Sequence, residues 1–243
     1  MELRGRVALV TGGAVRLGRA MAAALAGEGM RVVVHYNSSS AAADELVGEI
    51  RGRGGEAVAI GADLARAGEV ERLAREAVAA FGGIDVLVNS ASVFPSEGLE
   101  ETDEALWDHA MAVNLKAPFF LIRHLAPTLR ERRGVVVNMA DLAGLQAWAR
   151  YAVHGISKAG VAHLSRVAAR ALAPEARVAG IAPGAVLPPD DMDAAELERL
   201  ANGIPLGHIG SPGDIVGALL YLLRADFVTG EILVVDGGRR LKG

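Results

Sequence analysis

Seven short runs of β-branched and other apolar residues alternate with longer, alanine-rich segments along the chain. The runs lie at 6–11, 31–36, 57–62, 84–89, 134–140, 176–182 and 231–236, and helical patterns lie between them at 16–28, 41–52, 67–81, 101–131, 150–173 and 211–224. Strands that are apolar on both faces and alternate with helices are typical of a parallel sheet covered on both sides. With right-handed crossovers, this order predicts an α/β fold with a doubly wound sheet of seven strands.

Composition limits the possible functions. The 243 residues are 51% hydrophobic, which predicts one domain over 1–243, and the net charge of -4 provides no basic surface for nucleic acid or for a membrane. No apolar run approaches the roughly 18 to 20 residues that span a bilayer. The absence of cysteine excludes disulfides and thiolate metal sites, and no leader pattern follows Met1. We therefore expect a cytoplasmic protein that acts on a small molecule.

A glycine-rich turn, TGGAVRLGRA, follows the first strand directly. It places Gly12, Gly13 and Gly18 between a strand and a helix. Such a turn lets the backbone approach a pyrophosphate, and the helix N-terminus adds free N–H groups and the positive end of a dipole. This context predicts a Rossmann-type dinucleotide site, with the cofactor half of the domain at about 1–140.

The end of the second strand favours NADPH over NADH. NAD-binding folds carry an acidic residue there for the ribose 2′-hydroxyl, but positions 35–40 contain no carboxylate. Asn37, Ser38 and Ser39 supply neutral donors for a 2′-phosphate, and Arg16 supplies a nearby cation. The alternative is a polar turn with an ordinary surface arginine.

Three proton-active side chains occur in the stretch YAVHGISKAG. Tyr151, His154 and Lys158 have the i, i+3, i+7 spacing of one helical face. A solvated face would explain the pattern, but the chain has only three lysines among 25 cationic residues. Because an ammonium can shift its pKa whereas a guanidinium stays charged, Lys158 is a candidate catalytic group.

Taken together, these motifs resemble the short-chain dehydrogenase/reductase family over essentially the whole chain. Further matches are NSAS at 89–92, where the family usually has NNAG, and Asn114, Pro183-Gly184, VTG and DGG. The resemblance implies a homotetramer and assigns a catalytic role to Asn114 and Lys158. It also implies a set of cofactor-binding residues: Thr11, Gly12, Arg16, Leu17, Gly18, Asn37, Ser38, Ser39, Asp63, Leu64, Asn89, Ser90, Ala91, Lys158, Pro183 and Gly184.

Two catalytic positions depart from the family pattern. A tyrosine four residues before the lysine normally donates a proton, and a serine thirteen residues earlier orients it; here these positions are His154 and Asp141. Asp141, Arg16 within TGGAVRLG and the stretch from Ala91 to Phe94 are similar to the pteridine reductase branch. The segments HYNSS, NMAD and PPDDM, the last containing Asp190 and Asp191, are similar to that branch too.

The resemblance to pteridine reductases implies a substrate pocket. Phe94 would stack on a pterin opposite the nicotinamide, Ser92 and Arg16 would contact the bicyclic ring, and Asp141 would take part in the proton relay. Tyr151 would line the pocket or replace the missing tyrosine. Residue chemistry leaves other interpretations open: Phe94 as a buried core aromatic, and Asp141 as a cap of the following helix.

Three functions follow from these residues. The first is NADPH-dependent reduction of a dihydropterin, with Asp141 and His154 as a coupled acid. The second is carbonyl reduction of the 3-oxoacyl type, and the third is NADP(H) binding with lost or weak catalysis. The segment 183–210, with four prolines and the run DDMD, is predicted to be an irregular substrate loop rather than a solvated excursion.

Overall fold

The computed structural model describes residues 1–189 and 192–242. Within these residues seven strands form one parallel sheet, in the order β3-β2-β1-β4-β5-β6-β7. Their bounds are Val7–Thr11 (β1), Arg31–Tyr36 (β2), Ala57–Gly61 (β3), Val86–Asn89 (β4), Val135–Met139 (β5), Arg177–Pro183 (β6) and Ile232–Val235 (β7). The predicted α/β fold with a doubly wound sheet is confirmed.

Helices cover both faces of this sheet. Their bounds are Arg16–Gly27 (α1), Ser40–Gly52 (α2), Ala67–Phe81 (α3), Glu104–Met111 (α4), Ala117–Glu131 (α5), Ala152–Leu172 (α6), Ala194–Asn202 (α7) and Pro212–Arg224 (α8). Within β1, Ala8 and Val10 pack into the core beneath α1, α2 and α8, whereas Val7 and Leu9 pack beneath α3, α5 and α6. Burial on both faces explains the continuous apolar runs.

The helical patterns differ from the structure in three places. The segment 101–131 begins its helix at Glu104, and one turn of π-helix at Ala112–Lys116 separates α4 from α5. Tyr151 precedes α6, at the end of a 3₁₀ turn, because the helix begins at Ala152. The segment 183–210 is not wholly irregular, since it contains α7; Asp190 and Asp191 lie outside the described residues.

The strand order reverses between β1 and β4, and all strands end at the same edge of the sheet. In open doubly wound sheets, ligands bind at the carboxyl ends of the strands beside such a reversal. In the part of the chain that the model describes, no helix is both long and apolar enough to cross a membrane.

Candidate active site

The glycine turn after β1 permits close approaches that a side chain would block. Gly12 has a φ of 61°, and a Cβ there would lie 2.9 Å from the Ala91 Cα. A Cβ on Gly18 would overlap the carbonyl oxygen of Gly12. The turn is therefore packed against both β4 and its own helix, which leaves backbone as the surface that a ligand meets.

The N-terminus of α1 is open for an anion. Val15 occupies the cap position, and no side chain of the described residues caps it. The first N–H groups of a helix have no intrahelical acceptor, so here they are available to a phosphate. Leu17 and Gly18 lie in this first turn, as the sequence predicts for the cofactor site.

Arg16 begins α1 with a left-handed φ of 50°. Its guanidinium donates to the carbonyl oxygen of Leu187 at 2.7 Å, in the predicted substrate loop. In this conformation the side chain faces the substrate loop, and Arg16 does not line the cavity at Asn37–Ser39. In this geometry Arg16 is not placed to act as a cation for the 2′-phosphate, and its substrate role stays a prediction.

A cavity of about 190 Å³ adjoins the glycine turn and the ends of β2 and β3. Its neutral hydroxyl and amide groups suit a phosphorylated ribose, and Leu64 gives it an apolar wall, so its residues fit an adenine dinucleotide. Its lining includes six predicted cofactor residues besides Gly12: Asn37, Ser38, Ser39, Asp63, Leu64 and Ala91.

Thr11 holds the segment after β4. Its Oγ1 accepts hydrogen bonds from the backbone N–H groups of Ser90, at 2.9 Å, and Ala91, at 3.1 Å. The Asn89 side chain instead donates to Asn138 Oδ1 at 2.8 Å and is 4% exposed, so it stabilises the sheet. Its Oδ1 has no hydrogen-bond partner among the described residues, so this oxygen and the Asn89 backbone are left for the predicted cofactor role.

Pro183 and Gly184 lie at the end of β6. Pro183 is buried, and Gly184 donates from its N–H to the carbonyl oxygen of Val235 at 2.8 Å. A Cβ on Gly184 would lie 2.7 Å from the Asp236 Cα. The pair therefore starts the substrate loop at a fixed point beside β7.

The π-helical turn places Asn114 against the segment after β4. Its Oδ1 accepts from the Val93 N–H at 2.8 Å and from the Ser92 hydroxyl at 3.1 Å, and its amide donates to Ser157 Oγ at 3.0 Å. Asn114 is 1% exposed. It thus links α6 to the predicted pterin-binding segment, and π turns of this kind are frequent at functional sites.

Asp141 begins a 3₁₀ turn, Leu142–Gly144, that packs on α6. Two glycines make this contact possible: a Cβ on Gly144 would lie 2.5 Å from the carbonyl carbon of Lys158, and one on Gly155 would lie 2.9 Å from the Ala143 carbonyl oxygen. The Asp141 Oδ1 accepts from the Ala143 N–H at 2.7 Å. Asp141 Oδ1 therefore caps this turn, and its Oδ2 takes no part in the cap.

The Asp141 Oδ2 lies 3.7 Å from His154 Nε2. His154 is 1% exposed, and its Nδ1 lies 3.3 Å from the Val93 carbonyl oxygen. That oxygen can only accept, so Nδ1 carries a hydrogen and Nε2 is the nitrogen that faces the carboxylate. Nε2 has no hydrogen-bond partner among the described residues. The two groups face each other beyond hydrogen-bonding distance.

Lys158 lies one helical turn beyond His154. Its Nζ donates to the Met139 carbonyl oxygen at 2.8 Å. Burial lowers the pKa of Lys158 to about 8, although the nearby Asp141 charge acts in the opposite direction. At neutral pH the ammonium stays mainly protonated, and it places a positive charge beside Asp141.

A cluster of three aromatic side chains lies next to His154. The Phe94 ring centroid lies 4.2 Å from that of His154 and 5.0 Å from that of Tyr151, and Trp148 lies 6.1 Å from Tyr151. Phe94 is 54% exposed, so the interpretation as a core aromatic is wrong. Its ring covers the buried imidazole of His154 and leaves an apolar face open to solvent.

Sequence reasoning missed His35, which lies at the end of β2 and lines the cofactor cavity. It donates to Ala62 and accepts from Gly12. The available signal was a polar side chain at the end of an otherwise apolar strand. Gly155 was also missed, although a glycine inside a helical pattern indicates a close packing contact.

A glycine turn at the strand reversal is typical of dinucleotide-binding proteins. A family model described as "Enoyl-(Acyl carrier protein) reductase" matches residues 13–240. The chain belongs to the short-chain dehydrogenase/reductase family, as its motifs indicate.

The proteins that are similar in sequence to this chain have names that indicate different substrates. The chain is 36% identical over 241 residues to the 3-oxoacyl-[acyl-carrier-protein] reductase FabG of Staphylococcus epidermidis, covering 95% of this chain and 97% of the relative. It is 35% identical over 252 residues to 3beta-hydroxysteroid dehydrogenase 1 of Eggerthella lenta, covering 99% of this chain and 95% of the relative.

One similar solved structure is that of an enzyme with a different named activity. The crystal structure of FolM Alternative dihydrofolate reductase 1 from Brucella suis in complex with NADP has a TM-score of 0.93 at 33% identity. The comparison covers 100% of this chain and 98% of that chain. Family membership is therefore common to all three proteins, whereas the substrate differs among them.

Proposed function

We propose that the protein is an NADPH-dependent reductase of a dihydropterin, and that Asp141 with His154 supplies the proton. The observation that carries the proposal is the pairing of a part-exposed carboxylate with a buried imidazole whose Nε2 has no hydrogen-bond partner within residues 1–189 and 192–242, beside the open face of Phe94. The likeness to FolM, solved with NADP, supports the same reaction class.

NADPH, when bound, supplies the hydride. The first turn of α1 would hold its pyrophosphate, Asn37, Ser38 and Ser39 its 2′-phosphate, and Lys158 the ribose beside the nicotinamide. Phe94 offers a flat apolar surface on which a pterin ring stacks. The Asn114 hydrogen bonds fix Ser92 and Val93, and so set the position of that surface.

The exposure of the two side chains indicates which of them contacts the substrate. His154 is 1% exposed and covered by Phe94, whereas the Asp141 side chain is 22% exposed. Asp141 is therefore the group that contacts substrate, and His154 lies behind it. In the proposed relay His154 Nε2, which faces the carboxylate, passes a proton to Asp141, and Asp141 delivers it to a ring nitrogen.

A second candidate function is reduction of a 3-oxoacyl thioester, favoured by the 36% identity to FabG. The two functions are separated by measuring NADPH oxidation with a dihydropterin and with a 3-oxoacyl thioester at equal concentrations. We expect oxidation with the dihydropterin and at most a slow reaction with the thioester. The reverse preference would contradict the pterin proposal and support the carbonyl reductase.

We expect NADPH to bind at least about tenfold more tightly than NADH, because neutral donors at Asn37–Ser39 can bond a 2′-phosphate and positions 35–40 contain no carboxylate to repel it. Fluorescence titration of each cofactor measures the ratio. Asn37→Asp is the matched variant, since it adds a charge with little change in shape; it should weaken NADPH far more than NADH. Equal affinities in the wild type would contradict the assignment.

Phe94→Ala should weaken dihydropterin binding by about 1 to 3 kcal/mol, the usual effect of losing an aromatic platform beneath a base-like ring. NADPH affinity should stay nearly unchanged. Calorimetry on both ligands tests this, with Phe227→Ala as the control, because Phe227 is a fully exposed phenylalanine elsewhere. A matched loss of both affinities would instead mean that Phe94 supports the fold of the site.

A homotetramer, which the family resemblance implies, is also proposed. The supporting feature is an apolar surface on α4–α6 that includes Phe119, 48% exposed, and Val167, 50% exposed, around a cavity of about 920 Å³. Apolar surface of this kind is typical of contacts between subunits. Sedimentation equilibrium gives the oligomeric state directly.

A further inference from the structure

His35 lies at the end of β2, directly beneath the glycine turn. It is 1% exposed and therefore has no hydrogen bonds to solvent. Its backbone carbonyl accepts from the Gly13 N–H at 2.9 Å, and its side chain reaches Gly12. One residue thus engages both glycines that open the turn.

The two ring nitrogens of His35 have opposite hydrogen-bonding roles. Nδ1 accepts from the Gly12 N–H at 3.1 Å, and Nε2 lies 3.0 Å from the carbonyl oxygen of Ala62, just after β3. An N–H can only donate and a carbonyl can only accept, so the ring must be neutral with its hydrogen on Nε2. The imidazole therefore ties the ends of β1, β2 and β3 together in one protonation state.

We infer that His35 is a positioning residue for the dinucleotide: as a neutral acceptor it fixes the peptide of Gly12, and through it the cradle that meets the pyrophosphate. Gly12 has little other freedom, since its φ is 61° and Ala91 lies so close that a Cβ on Gly12 would be 2.9 Å from the Ala91 Cα. Without the acceptor, a part-buried N–H would lose its partner at the point where the turn must keep its shape. The inference uses NADPH as its probe and thus rests on the proposed cofactor, not on pterin turnover.

Protonation of His35 would break this arrangement, because Nδ1 would become a donor facing the Gly12 N–H. Burial lowers the pKa of His35 below its ordinary value, and the Arg72 charge on α3 acts in the same direction. The cavity beside His35 is also lined by Asp63, which follows β3, and by His109 on α4. The neutral form is therefore maintained at neutral pH and is lost in acid.

Two amide variants separate the roles of the two nitrogens. His35→Asn places an amide oxygen near the position of Nδ1, so it keeps an acceptor for Gly12; His35→Gln places an amide near Nε2, so it keeps the donor to Ala62 only. We expect NADPH to bind about tenfold more weakly to His35→Gln and within about threefold of wild type to His35→Asn. Equal losses, or a greater loss in His35→Asn, would overturn the inference.

A pH series makes the test independent of how His35→Gln folds. NADPH affinity of the wild type should fall relative to that of His35→Asn as the pH decreases below about 6.5, the ordinary pKa of histidine, because burial lowers the pKa of His35 and only the wild type titrates at this position. The 2′-phosphate titrates in both proteins and cancels in the ratio. A ratio that stays constant over this range would overturn the inference. Failure of pterin reduction would leave these binding measurements unaffected.

Discussion

Replacing Asp141 by asparagine is expected to lower the rate of dihydropterin reduction by about 10² or more, the usual effect of removing a positioned acid or base. Asparagine keeps the size of the side chain and an oxygen for the Ala143 N–H, so the 3₁₀ turn should form. It cannot carry the proton that faces His154. Single-turnover oxidation of NADPH measures the effect, and NADPH affinity should be almost unchanged.

The matched control is Asp44→Asn, which removes a carboxylate on the exposed surface of α2 and should leave the rate unchanged. The wild-type rate should decline as the pH rises, because the proposed reaction consumes a proton that the side chains must supply. His154→Tyr should retain or raise turnover by restoring the donor that is usual in the family.

Two other results would change the interpretation. If neither Asp141→Asn nor His154→Ala reduces a robust wild-type rate, water or Tyr151 delivers the proton and the assignment of the pair is wrong. If the wild type binds NADPH without pterin-dependent oxidation, and activity appears only in His154→Tyr, the protein is an NADP(H)-binding protein that has lost its catalytic activity. The imidazole would then be the cause of the loss.

The sheet was predictable because its signal is local. Strands buried on both faces have continuous apolar runs, and the glycines of the first turn follow one of them, so both could be found from neighbouring residues. Because the glycines directly follow the first strand, the sequence could predict this turn as the dinucleotide site. Asp141 and His154 were identified by their spacing from Lys158, within a resemblance to a known family.

The features that were missed depend on tertiary contacts or on weak local signals. The π turn at Ala112–Lys116 has no pattern of its own, and it exists where Asn114 packs against the segment after β4. The function of His35 depends on Gly12 and Ala62, which are distant in the sequence. The helix α7 did have a signal: Asp193 and Glu196 form a capping box, with Asp193 Oδ1 2.8 Å from the Glu196 nitrogen.

Gly18→Ala is expected to lower NADPH affinity by about 10- to 100-fold, because the new Cβ would overlap the carbonyl oxygen of Gly12. Both Gly12 and the first turn of α1 are backbone, so no rotamer change can relieve the overlap; one of them must move, and both are proposed to hold the pyrophosphate. Fluorescence titration measures the affinity, and thermal unfolding shows whether the fold also suffers.

Gly27→Ala gives the matched control, since Gly27 ends the same helix and a Cβ there would have no neighbour within 4 Å. That variant should bind NADPH like the wild type and be neutral or slightly more stable, as alanine is the better helix former. If Gly18→Ala folds and binds NADPH as Gly27→Ala does, the close approach at Gly18 is not needed for the cofactor. The cradle would then have to lie elsewhere than at the first turn of α1.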